Sequence, residues 1–86
     1  MPTISDFYGI YIQMYDDDKH GPHFHAIYAE HRASLTIADC EFLAGRIPQH
    51  AYRLVRAWWK LHRNELQANW ELLRRHQKPE RIDGLE

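Results

Sequence analysis

Three of the chain's seven histidines fall within six residues, in the run His20-Gly21-Pro22-His23-Phe24-His25. Gly-Pro punctuates a turn, and the residues beyond it favour a strand. Alternate strand residues leave the same face, so His23 and His25 project together with Cα atoms about 6.5 Å apart. Two chemistries would use such a pair. The imidazoles can converge on a divalent metal, with His20 or one of Asp16, Asp17 and Asp18 as a third ligand. Alternatively, one neutral and one protonated imidazole can flank a phosphodiester, one taking a 2′-hydroxyl proton and the other protonating the leaving oxygen. Against the metal, no second His-x-His or His-x-x-x-His completes a familiar ligand set. Histidines beside tyrosines also make an ordinary surface.

The elements that must hold these residues can be read from pattern. Residues 7–15 are β-branched and aromatic, with Tyr8, Ile10, Ile12 and Met14 on one face and Phe7, Tyr11, Gln13 and Tyr15 on the other. A polar turn leads to a second strand over residues 23–30, where Phe24, Ala26 and Tyr28 oppose His23, His25 and Ile27. A connection at Glu30-His31-Arg32 gives a third strand over 33–38, with Leu35 and Ile37 apolar and Ser34 and Thr36 opposite. Phe42-Leu43 could add a short extended piece before Gly45. From Pro48 the period becomes helical, and Val55, Trp58, Trp59, His62, Leu66, Trp70 and Leu73 form one stripe. A single helix over 48–76 would span about 40 Å; a break near Arg63-Asn64 would give two.

The expectation is an α+β fold: one domain over 1–86, with a three-stranded antiparallel β-meander (about 7–38) packed on one long C-terminal helix or two shorter helices (about 48–76). Residues 77–86 form a tail that could dock or fray. If the helix covers the Phe24 face, His23 and His25 are left uncovered beside Phe7, Tyr11, Tyr15 and Ile27. Semi-apolar, aromatic patches of this kind mark protein interfaces.

Charge divides the chain. Residues 1–45 hold two basic and seven acidic side chains, and residues 46–86 hold nine basic and five acidic. Halves near −5 and +4 could attract each other or select a charged partner. Arg53, Arg56, Lys60 and Arg63 lie in a narrow arc opposite the Trp58 stripe. That arc could neutralise the phosphates of a nucleic acid or form the solvated face of an amphipathic helix. On the core side of the sheet it points away from His23 and His25. Cys40 is a lone cysteine in a turn, and no run approaches the roughly 20 apolar residues of a membrane span. The N-terminus carries no basic and apolar signal pattern, so a cytoplasmic protein is expected.

The residues so assembled resemble a known family. Met1-Pro2-Thr3-Ile4-Ser5, Phe7-Tyr8-Gly9-Ile10, Met14-Tyr15, the His20-x-Pro22-His23-Phe24-His25 core, and Leu61-His62-Arg63-x-Glu65-Leu66 with Asn69-Trp70 are similar to the bacterial domain of unknown function 4160. The family often has Pro-Pro where this chain has Gly21-Pro22, and a polar residue where it has Ile27. The resemblance implies a small intracellular bacterial protein with no settled activity. It is often encoded beside another small protein in a toxin–antitoxin-like arrangement. It therefore implies a protein partner and keeps a histidine-dependent RNA cleavage open.

Overall fold

The computed structural model describes residues 3–15 and 21–86. Five strands form one antiparallel meander in sequence order: β1 (Thr3–Phe7), β2 (Ile10–Gln13), β3 (His23–Tyr28), β4 (His31–Thr36) and β5 (Phe42–Arg46). One helical stretch, α1 (Gln49–Arg74), follows. The three-stranded expectation is therefore corrected to five. The extended run over 7–15 is in fact the end of β1, a turn, and β2. Tyr8 and Gly9 both have positive φ (51° and 80°), and Phe7 pairs with Ile10 across them. That is the signature of a two-residue hairpin turn whose twist matches the strands.

The turn resets the face parity. Phe7 is buried and stacks on Trp58 with ring centroids 5.5 Å apart, whereas Tyr8 is 60% exposed. Phe7 thus belongs to the core and Tyr8 to the surface, the reverse of strict alternation through the run. A second tight turn at Ala29-Glu30 lets Tyr28 pair with His31, so the strand expected from Ala33 is β4 and begins at His31.

One sheet face is apolar. Ile10, Ile12, Phe24, Ala26, Ala33 and Leu35 are all buried there beneath α1. The helix contributes Ala51, Val55, Trp58, Trp59, Leu66, Trp70 and Leu73, the stripe set by its 3.6 period. Trp58 is fully buried; hiding a side chain of that size removes enough apolar surface for on the order of 5 kcal/mol. Its indole N–H donates to the Asp83 carbonyl at 2.8 Å. Trp59 donates to the Ile37 carbonyl at 2.6 Å, so each large ring also satisfies its polar edge.

His62 interrupts α1 with non-helical angles (φ −121°, ψ 20°), one residue before the break expected near Arg63-Asn64. The two helical halves therefore share one stripe but differ in direction, which matters for His23 below. After Arg74 the chain returns along the sheet. The Asn69 side chain donates to the Glu80 carbonyl and accepts from its N–H, each at 2.8 Å. The Ile82 N–H donates to the Ile4 carbonyl at 2.7 Å. The segment beyond Gln77 docks, and it covers the outer edge of β1. No helix is long and apolar enough to cross a membrane, among the described residues.

Candidate functional site

The face turned away from α1 is ordered by strand register into two rows. Gln13, His25, Ser34 and Ala44 oppose one another across β2 to β5. Beside them run Asp6, Tyr11, Ile27, Arg32 and Arg46 across all five strands. Directly opposed residues share a face, so each row is a set of touching or near-touching side chains. Tyr11 is 49% exposed, while Tyr15, His25 and Ile27 are half-buried. The Tyr15 ring lies 4.4 Å from that of His25, and its hydroxyl donates to Gln13 Oε1. Tyr11, Tyr15, His25 and Ile27 do come together as the alternation predicted.

His23 does not join them in solvent. It is only 3% exposed, so the expectation of two uncovered imidazoles fails at this position. The second half of α1, redirected at His62, brings Trp70 to the start of β3 and sets its ring 5.5 Å from His23. His23 Nδ1 is 2.8 Å from the Gly21 carbonyl, and the ring meets His25 edge-on at 5.1 Å. His25 Nδ1 in turn lies 3.2 Å from Ser34 Oγ. The pair is adjacent but unequal: His23 is a buried wedge under Trp70, and His25 is half-buried against Tyr15.

His20, Asp16, Asp17 and Asp18, the candidates to complete a metal set, lie outside the described residues. Among the described residues no group of three His, Cys, Asp or Glu side chains could hold a metal ion.

The basic arc is exposed on the helix, but half of it is engaged. Arg56 and Arg63 lie over the Trp59 ring, 5.5 and 5.4 Å from its centroid, and Arg56 also donates to the Asp39 carbonyl at 3.4 Å. Arg53 and Lys60 extend to solvent. Because Val55, Trp58 and Trp59 bind the helix to the apolar sheet face, this arc lies across the molecule from His25. Cys40 is buried, and burial pushes its thiol up to about 12, which leaves it protonated and unreactive near neutral pH.

The sequence reading missed Arg32 as a member of this face. With the turn placed at Glu30-His31-Arg32, it looked like a loop residue. Placing the turn at Ala29-Glu30 instead puts Arg32 and Ser34 on the His25 side by simple alternation. A hollow of about 240 Å³ opens there, lined by His25, Arg32, Ala33, Ser34, Ala44 and Gly45.

A small antiparallel meander closed on one side by a bent, tryptophan-rich helix, with a His-x-His strand at its centre, defines an α+β domain class with one face open. The chain belongs to the family described as Domain of unknown function (DUF4160), whose model matches residues 9–71. That span includes the histidine run and both halves of the helix up to Glu71. No curated protein and no solved structure matches the chain.

Proposed function

We propose that this protein is a cytoplasmic, partner-binding component of a two-gene, toxin–antitoxin-like system, and that the open sheet face is its binding surface. The observation that carries the reading is the row Tyr11–Ile27–Arg32 beside Tyr15 and His25. It is an apolar and aromatic strip with one guanidinium on the sheet face turned away from α1, where Tyr11 and Arg32 are exposed. Aromatic residues and Arg are the side chains that anchor protein interfaces. The partner is the small protein encoded beside it, as the family resemblance implies.

A histidine-dependent activity, metal-assisted or on RNA, draws less support. His23 is buried with Nδ1 beside a carbonyl, which suits a structural ring better than a proton shuttle. Binding of nucleic acid through Arg53, Arg56, Lys60 and Arg63 is weakened by the packing of two of them on Trp59.

Purification from the native operon tests the three together. The interface reading expects the neighbouring gene product in stoichiometric amount. Stoichiometric metal, or nucleic acid that leaves steeply with salt, without a protein partner would contradict it.

A further inference from the structure

We propose that the hollow at His25, Arg32, Ser34 and Ala44 anchors a side-chain carboxylate of the protein partner, an Asp or Glu set within an apolar stretch. This rests on the open face being the partner-binding surface, and it adds the chemistry of what that surface receives.

Charge points to an anion. Arg32 is exposed, and no Asp or Glu lies within ion-pair reach of it among the described residues. Its cross-strand partner, Arg46, is turned aside, with its guanidinium 4.7 Å from the ring of Phe42, which packs on Tyr52 of α1. The row's own carboxylate, Asp6, stands at the far end and is taken by Arg81 at 3.2 Å.

Shape points to a small one. Ala44 and Gly45 leave the floor low beside Ser34, and a Cβ at Gly45 would meet the Arg32 carbonyl oxygen at 2.2 Å. Gly45 also has a positive φ of 70°, so this close approach of β5 to β4 requires glycine. At about 240 Å³ the hollow is smaller than the usual cavity for a whole small-molecule ligand, but it admits one carboxylate. The planar fork of Arg32 matches a carboxylate's two oxygens. The Ser34 hydroxyl, beside His25 Nδ1, offers a further polar contact.

The surroundings point to protein. Tyr11 and Ile27 continue the row from Arg32, so a ligand seated there meets apolar surface on that side. A nucleic-acid strand would need several cations in line, and Arg53 and Lys60 lie on the far face of the molecule.

The test is NMR titration of the full chain with acetyl-Leu-Glu-Leu-amide, acetyl-Leu-Gln-Leu-amide, inorganic phosphate and a uridine decanucleotide. The glutamate peptide is expected to shift the amides of Arg32, Ser34, Ala44 and Gly45 saturably, at least about five-fold more tightly than the glutamine peptide. Arg32→Gln should abolish those shifts, and Lys78→Gln should leave them.

Absence of saturable shifts, or equal binding of both peptides, overturns the proposal. Tighter binding of phosphate or the oligonucleotide at the same amides overturns it in favour of a phosphate ligand. If these shifts are absent while the complex with the neighbouring protein still depends on Tyr11, only the carboxylate anchor falls. If Tyr11 dependence is absent too, the open-face reading falls with it.

Discussion

His23 and His25 differ in what a substitution can teach. His23 fills space between Trp70 and His25 and has a backbone carbonyl at its Nδ1. Truncation leaves a cavity and an unpaired group, so His23→Ala is expected to lower unfolding free energy by about 2–4 kcal/mol, measured by urea denaturation. A loss below about 0.5 kcal/mol would contradict the wedge role. Any activity lost in that variant could therefore reflect unfolding, and His25→Ala is the cleaner probe of chemistry at the face.

Cys40 carries a separate expectation. With burial raising the folded-state thiol to about 12 from its ordinary 9.0, the folded chain holds the proton more tightly than the unfolded one. That contribution is fully present below pH 9 and is lost as pH rises toward 12. Cys40→Ala should show a shallower alkaline loss of stability than the parent between those values. Identical slopes would mean that burial does not hold the thiol protonated.

At the scale of elements, much of the arrangement was open to reading and the rest failed for identifiable reasons. Alternation placed Ile10, Ile12, Phe24, Ala26, Leu35 and Ile37 inside, and the 3.6 period placed every apolar member of the helical stripe inside. β1 is hard to read because its register shifts between Thr3 and Ser5, which blurs a period of two. Gly9 within an apparent strand was the available signal for the hairpin. The cover over His23 was not legible at all. It depends on a bend at His62 and a contact between residues 47 positions apart, which no local pattern encodes.

The docked tail is similarly long-range and rests on close contact at Gly84. A Cβ there would lie 2.4 Å from the Asp6 carbonyl oxygen, a backbone atom that cannot swing aside. Gly84→Ala is expected to lift the tail from β1 and cost roughly 1–3 kcal/mol. A change in Trp58 fluorescence should accompany the loss, because its indole N–H loses the Asp83 carbonyl. Unchanged stability and emission would show that the tail adds nothing to the sheet edge.

Taken whole, the molecule is asymmetric in how it treats its surfaces. The apolar sheet face is sealed by α1, and the outer edge of β1 is covered by the tail. The Tyr11–Ile27–Arg32 face is turned away from α1, with Tyr11 and Arg32 exposed, and α1 puts Arg53 and Lys60 on the opposite side. The acidic and basic halves of the sequence are brought together by helix-on-sheet packing, so net charge alone does not select between partners.

The two sides can be set against each other in one measurement, the Kd for the neighbouring gene product by isothermal titration calorimetry. Tyr11→Ala and Ile27→Asp, on the open face, should each weaken the complex by about ten-fold or more. Arg53→Ala with Lys60→Ala, on the helix, should leave it within about two-fold. Wild-type affinity in both open-face variants, with loss in the helix variant, would contradict the open sheet face as the binding surface.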